Sequence, residues 1–112
     1  MDLIKEPINN QQIDNLKAKY GSYAKITADL KKEWLVVGPE LHADGESLLV
    51  DQGSDNINIW GGGINFNSLE IDTTAVLNIR PNLNNNSMEI IDSEKREKFI
   101  SLVKEMFDIT NG

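Results

Sequence analysis

The stretch that decides the fold is AKITADLKKEWLVVGP, residues 24–39. From Ala24 to Lys31, apolar and polar residues alternate, which is the period of a strand with one buried face. Trp34 to Val37 then form an apolar run, and the polar residues between the two runs predict a turn. Gly38-Pro39 ends the second run. The segment therefore predicts a strand and the partner strand that returns beside it.

Helices are predicted before and after this strand pair along the chain. Asn9 and Gln12 have the spacing of a capping box, which predicts a helix that begins at Asn9. Ala43 to Gln52 is expected to form a short helix after the strand pair. Asp92 or Ser93 caps a last helix, whose apolar stripe consists of Phe99, Leu102, Val103 and Met106.

The second half of the chain predicts three more strands. Residues 57–60 form the first, which Gly61-Gly62-Gly63 ends as a turn or bulge. Strand spacing resumes over 64–71, and a final strand covers 75–79 before Pro81. The order α-β-β-α-β-β-β-α predicts an α+β fold, with a small antiparallel or mixed sheet of about five strands. Two longer helices and one short helix are expected on one face of the sheet.

Composition limits the classes of function. The chain has 112 residues, which predicts a single α+β domain over 1–112. It has no cysteine, so disulfides, thiolate zinc sites and a cysteine nucleophile are excluded. Its 18 acidic and 11 basic side chains give a formal net charge of −7. Because nucleic-acid affinity depends largely on cations that meet phosphates, no nucleic-acid partner is expected.

The sequence also bears on location. The first seven residues have neither a basic region nor an apolar core, so no signal peptide is expected. No apolar run approaches the roughly 20 residues that span a bilayer, so no membrane partner is expected. We therefore expect a cytoplasmic protein.

The only histidine lies in a polar knot, residues 38–44, between two apolar segments. His42 is a candidate acid or base because imidazole titrates near neutral pH, and Glu40 or Asp44 could orient it. The competing interpretation is that His42 donates to a backbone carbonyl while Asp44 caps a helix. The three residues are also metal-ligand types, but Pro39 argues against the strand that would align them. Neither a metal site nor a cofactor is expected.

A second polar knot covers residues 80–87. Arg80 stands at a predicted strand end and could bind an anionic group. The ligand-binding candidates here and nearby are Arg80, Asn82, Asn86, Ser87 and Trp60. In the alternative interpretation Arg80 is an architectural tie to Glu40, Asp44 or Asp72, and Trp60 belongs to the core.

Five blocks carry a resemblance to a known family. They are Gly38-Pro39-Glu40-Leu41-His42-Ala43-Asp44, Leu48-Leu49-Val50, Gly53-Ser54, Ile59-Trp60-Gly61 and Leu77-Asn78-Ile79-Arg80-Pro81. Their order and spacing resemble an uncharacterised family of small prokaryotic proteins of about this length. The resemblance implies the family's fold and a bacterial or archaeal cytosol, and it names no reaction.

Function itself stays unknown from the sequence. The leading hypothesis is a binding module that presents His42 and Arg80 on one surface to a protein or an anionic small molecule. One alternative is a small hydrolase- or lyase-type enzyme that uses His42 as acid or base. Another is an acidic partner or immunity-type protein that acts through its surface charge. A homodimer is left open.

Overall fold

A computed structural model describes residues 1–109 of the chain. Five antiparallel strands form one sheet in the order β1-β3-β2-β4-β5. The strands are β1 (Asp2–Ile4), β2 (Tyr23–Asp29), β3 (Trp34–Val37), β4 (Ile59–Asn65) and β5 (Ile71–Asp72). The predicted fold class, an α+β domain with about five strands, is confirmed.

Three α-helices accompany the sheet: α1 (Asn10–Tyr20), α2 (His42–Asp51) and α3 (Ser93–Met106). The capping box of α1 is confirmed, since the Asn9 side chain accepts from the Gln12 N–H at 2.9 Å and Gln12 Oε1 accepts from the Asn9 N–H at 2.9 Å. Asp92 caps α3 by accepting from the Lys95 N–H. The remaining turns include short 3₁₀ segments, Asn56–Asn58, Val76–Asn78 and Pro81–Leu83.

The helices lie on both faces of the sheet, so the prediction of one covered face is wrong. Leu16 of α1 and Phe99 of α3 belong to the large apolar core, together with Ile26 and Trp60 from the sheet. Leu49 of α2 belongs to a smaller cluster with Val36 and Ile59. Successive strand residues point to opposite faces, and both faces of β3 and β4 carry buried residues. A sheet buried on both faces can therefore accept a helix on each.

Two other expectations are wrong. Gly61–Gly63 do not end a strand, because β4 runs straight through them and pairs with β2 along its whole length. Residues 75–79 do not form a final strand, because Val76–Asn78 is a 3₁₀ turn. In addition β1, which was not predicted, pairs with β3 at the edge of the sheet.

On the side of β4 that faces β5, β5 pairs only with Gly63 and Ile64, and the backbone of Gly61 bonds to a side chain instead of to a strand. Fully buried Asn78 accepts from the Gly61 N–H through Oδ1 at 2.8 Å and donates through Nδ2 to the Gly61 carbonyl at 2.9 Å. The same Nδ2 lies 3.1 Å from the Thr73 carbonyl and 2.9 Å from the Met88 carbonyl. Asn78 thus supplies the paired donor and acceptor that a neighbouring strand would supply.

A second buried asparagine holds the loop that follows. Asn85 Nδ2 lies 2.8 Å from the Asn78 carbonyl, 3.0 Å from that of Ser87 and 2.9 Å from that of Glu89. Its Oδ1 accepts from the Ile91 N–H, and its backbone forms a bridge with Arg80. The asparagine-rich segment is therefore fixed against the sheet by two amide side chains rather than by regular pairing.

Candidate functional site

The structure forms a cleft of about 590 Å³ on the α2 face of the sheet. Its walls are residues 41–43 at the start of α2, residues 74–77, and Met88. Tyr23 and Lys25 of β2 line it from the sheet side. We call it the His42 cleft, because His42 is its only histidine.

Glycines in β4 make room for the polar side chains of this cleft. A Cβ at Gly61 would lie 2.9 Å from His42 Cδ2 and 2.7 Å from the Ala75 Cβ. A Cβ at Gly63 would overlap the phenol ring of Tyr23. Since real side chains do not approach so closely, glycine at both positions is what lets His42 and Tyr23 lie against the strand.

The imidazole of His42 has a defined orientation. His42 is the first residue of α2, and its Nε2 lies 2.7 Å from the Gly62 carbonyl oxygen. A carbonyl only accepts, so Nε2 carries the proton and the neutral ring has its lone pair on Nδ1. Burial lowers the pKa of His42, although the Gly62 hydrogen bond opposes this shift. The competing interpretation of His42, a donor to a backbone carbonyl, describes this geometry.

Tyr23 and Asp72 form the other polar pair at the cleft. The Tyr23 hydroxyl donates to Asp72 Oδ2 at 2.6 Å, and Asp72 Oδ1 accepts from the Thr74 N–H at 3.2 Å. Burial, followed by this hydrogen bond to Asp72, raises the pKa of the Tyr23 phenol. The phenol therefore stays protonated at neutral pH and keeps its single proton directed at the carboxylate.

The predicted partners of His42 are engaged elsewhere. Asp44 Oδ2 accepts from the Leu41 N–H at 3.2 Å at the start of α2, as a capping residue does. Glu40 is exposed, and its backbone carbonyl accepts from Lys25 Nζ at 3.0 Å. Within residues 1–109 neither carboxylate forms a hydrogen bond with the imidazole, so neither orients it.

Arg80 ties three parts of the chain together. Its Nη1 donates to the carbonyls of Asn56 and Ile59, each at 2.7 Å, and its Nη2 pairs with Glu46 Oε2 at 2.6 Å. Glu40, Asp44 and Asp72 were the predicted partners of Arg80, and that prediction is wrong. Glu46 lies one turn after His42 on α2. Its carboxylate is therefore close to Ile59 at the start of β4, where the Arg80 guanidinium is bound. These bonds use three of the five guanidinium donors.

The other candidates near Arg80 differ in their exposure. Trp60 is buried in the core, and Arg80 and Lys95 lie over its indole ring at 5.5 Å and 5.2 Å. Asn82 and Asn86 are exposed, and Ser87 is half-buried with its hydroxyl accepting from the Glu89 N–H. Asn82 also lines a smaller cleft of about 330 Å³ beside Arg80, which we call the Arg80 cleft.

His42 and Arg80 lie near one another. They reach the carbonyls of Gly62 and Ile59, which are three residues apart and so separated by about 10 Å along a strand. Val76 and Leu77 border both clefts and form the wall between them. His42 and Arg80 therefore border neighbouring clefts that share one wall.

The residues that the sequence analysis missed carry weaker signals. Tyr23 lay just before the predicted strand, Lys25 was assigned to its polar face, and Glu46 was assigned to the first turn of a helix. One signal was available: glycines at alternate positions of one strand indicate that another group approaches that face closely.

Within residues 1–109, no group of three or more His, Asp or Glu side chains is placed to hold a metal ion. None of the helices in the described part of the chain is both long and apolar enough to cross a bilayer.

Comparison with known proteins identifies a family for the chain but names no function. Searches among curated proteins and among solved structures gave no match. One family model matches residues 2–106, which is nearly the whole chain. The chain therefore belongs to the family described as "Protein of unknown function (DUF5674)".

Proposed function

We propose that the protein is a small binding module whose His42 cleft receives the ligand. The observation that carries this proposal is the combination of an apolar cleft of about 590 Å³ with a partly exposed, oriented imidazole. Ligand sites are typically clefts of roughly 300–1,000 Å³, mostly apolar and with few polar groups. The cleft fits that description in both size and lining.

Exposed apolar side chains around the cleft support the proposal. Leu41 is 61% exposed, Val76 70% and Met88 43%, and all three border the cleft. Large apolar side chains that gather around a concavity mark a contact surface more often than scattered ones do. Burial of these side chains by a ligand would contribute about 25 cal/mol for each Å² removed from water.

Arg80 supports the same surface from the neighbouring cleft. Its bonds to Glu46 and to β4 hold the turn that carries Val76 and Leu77 against α2. The donors that these bonds leave over could meet an anionic group, together with Asn82 on the wall and Asn86 and Ser87 in the following loop. The proposed partner is a protein or a small molecule that covers both clefts, and an anionic group on it would lie at Arg80, with no role for nucleic acid or membrane.

The proposed setting is the bacterial or archaeal cytoplasm. The formal net charge of −7 and the mixed-sign surface support a protein that stays dissolved among many polyanions. Fractionation of cells that express a tagged copy tests the location.

The experiment for the cleft is a fragment screen by NMR on ¹⁵N-labelled protein. Ligands should shift the amide signals of residues 41–43 and 74–77 together. Leu41→Asp should abolish these shifts, since it places a carboxylate in the apolar rim. Val50→Asp is the matched control because Val50 is an exposed apolar residue of α2 outside the cleft. Hits that map elsewhere, or that survive Leu41→Asp, would refute the proposal.

A further inference from the structure

We infer that the His42 cleft is selective for an uncharged ligand with an apolar body and one N–H or O–H donor, which His42 Nδ1 accepts. This inference rests on the proposed function and specifies its ligand class. It concerns the His42 cleft alone, whereas the anionic group expected from the sequence would lie at Arg80 in the neighbouring cleft. Three features of the cleft support it: the position of Nδ1, the balance of charges and the nature of the walls.

The first feature is the unused acceptor on His42. Nε2 is committed to Gly62, and Cδ2 is the ring atom that a Cβ at Gly61 would approach most closely. In a five-membered ring Nδ1 is the vertex opposite the Cδ2–Nε2 edge, so it points away from β4. Within residues 1–109 no protein group bonds Nδ1. Because His42 lines the cleft and Nδ1 is the ring acceptor left over, the matching ligand is one that donates.

The second feature is the balance of charges around the imidazole. The charged groups that act on His42 are Lys25 of β2 and Asp72 of β5, and their signs are opposite. Lys25 is exposed and already donates to the Glu40 carbonyl, so solvent screens its charge. Burial lowers the pKa of His42, which keeps the ring neutral at neutral pH. Of the residues that the structure describes, Lys25 is the one charged side chain that lines the cleft, and its exposed, already bonded ammonium offers an anion too little attraction to repay the loss of hydration in an apolar cleft.

The third feature is the wall chemistry. The apolar side chains that line the cleft are Leu41, Ala43, Ala75, Val76, Leu77 and Met88. An apolar wall gives affinity without specificity, whereas one unpaired polar group rejects a ligand that lacks its partner. Methionine adapts its shape to flat aromatic bodies. An aromatic alcohol or an indole-type compound has the required combination.

Three probes with the same body separate the alternatives. They are 2-naphthol, which donates, 2-methoxynaphthalene, which does not, and the anion 2-naphthoate. At neutral pH we expect 2-naphthol to bind about three- to tenfold more tightly than either of the others, as one hydrogen bond allows. Chemical-shift titration of the cleft residues measures each dissociation constant.

Variants and pH assign the preference to His42. His42→Leu has a similar size but no acceptor in place of Nδ1, so the preference for 2-naphthol should disappear while 2-methoxynaphthalene still binds. His42→Gln is the matched control, because its amide can donate to Gly62 and its Oε1 can still accept, so part of the preference should remain. In the natural protein, affinity for 2-naphthol should fall as acidification protonates Nδ1, while 2-methoxynaphthalene binding stays constant. Asp72→Asn should retain this pH response, which excludes the neighbouring carboxylate as its source.

The outcomes separate the inference from the proposed function. Tighter binding of 2-naphthoate, or equal binding of 2-naphthol and its methyl ether, overturns the inference and leaves a binding cleft. Absence of binding by all three probes overturns the inference alone if the fragment screen still finds cleft ligands that Leu41→Asp removes. If that screen fails as well, both proposals fall.

Discussion

Replacement of Asn78 should unfold the segment that completes the sheet. In Asn78→Ala, the Gly61 N–H loses its acceptor, and the carbonyls of Gly61, Thr73 and Met88 lose a shared donor. A stranded buried N–H costs about 1–3 kcal/mol, and the carbonyls and the cavity add about 2 kcal/mol. We expect a loss of about 3–5 kcal/mol, a large share of the 5–15 kcal/mol typical of a domain.

The isosteric change Asn78→Asp tests the hydrogen bonds without leaving a cavity. The carboxylate can still accept from the Gly61 N–H, but its second oxygen now faces three carbonyl oxygens. Stability should fall at neutral pH and recover in part as the pH is lowered, because the protonated carboxyl group can donate again. Over the same pH range, the free energy of unfolding of the natural protein should not rise.

Urea unfolding followed by tryptophan fluorescence measures both variants. Asn82→Ala is the matched control, since Asn82 is an exposed asparagine of the same segment and should change stability by no more than about 0.5 kcal/mol. The melting temperature of Asn78→Ala should fall by about 12–20 °C at roughly 4 °C for each kcal/mol. If Asn78→Ala lost less than about 1 kcal/mol, the amide would not be holding the sheet edge and the reasoning would be refuted.

Three further predictions use the same unfolding assay. Arg80→Met should cost about 2–4 kcal/mol because it strands the half-buried Glu46 carboxylate and two carbonyls, whereas Glu46→Gln, which can still accept, should cost about 1 kcal/mol. Because burial lowers the pKa of His42, the unfolded chain binds a proton first, so stability should decline as the pH falls below 6.5, and His42→Gln should reduce this decline. Asn85→Ala should cost about 2–4 kcal/mol, since three carbonyls lose the buried amide donor that they share and the Ile91 N–H loses its acceptor, while exposed Asn86→Ala should be nearly neutral.

Each of these predictions has a contradicting result. Equal losses in Arg80→Met and Glu46→Gln would mean that the carbonyl bonds of Arg80 contribute nothing. A decline with acidification that persists unchanged in His42→Gln would place its source in other groups. Similar losses in Asn85→Ala and Asn86→Ala would show that burial does not distinguish the two amides.

The elements predicted correctly are those whose signals are local. Alternation over residues 24–30 and the apolar run 34–37 gave β2 and β3, because a half-buried strand repeats every two residues. The Asn9–Gln12 spacing gave the start of α1, because a capping box is made within four residues. These features depend on neighbours in the chain, so a single sequence contains them.

The wrong predictions concern segments whose structure depends on contacts with distant parts of the chain. Three consecutive glycines look like a break, yet β4 tolerates them because β2 supplies its hydrogen bonds and side chains from both faces fill the space. Residues 75–79 alternate like a strand, but the edge of β4 is occupied by one asparagine side chain, so they turn instead. Nothing local distinguishes Asn78 and Asn85 from the exposed asparagines around them.

The same division applies to the candidate site. His42 and Arg80 stand out in the sequence because few residue types titrate near neutral pH or form several charged hydrogen bonds. Their partners, Gly62 and Glu46, became known only from the fold. By itself the sequence determined an acidic α+β chain without cysteine and two polar segments beside apolar ones. The tertiary structure alone decided which groups bond and which acceptor is left open, because burial and hydrogen bonding depend on distances between residues far apart in the chain.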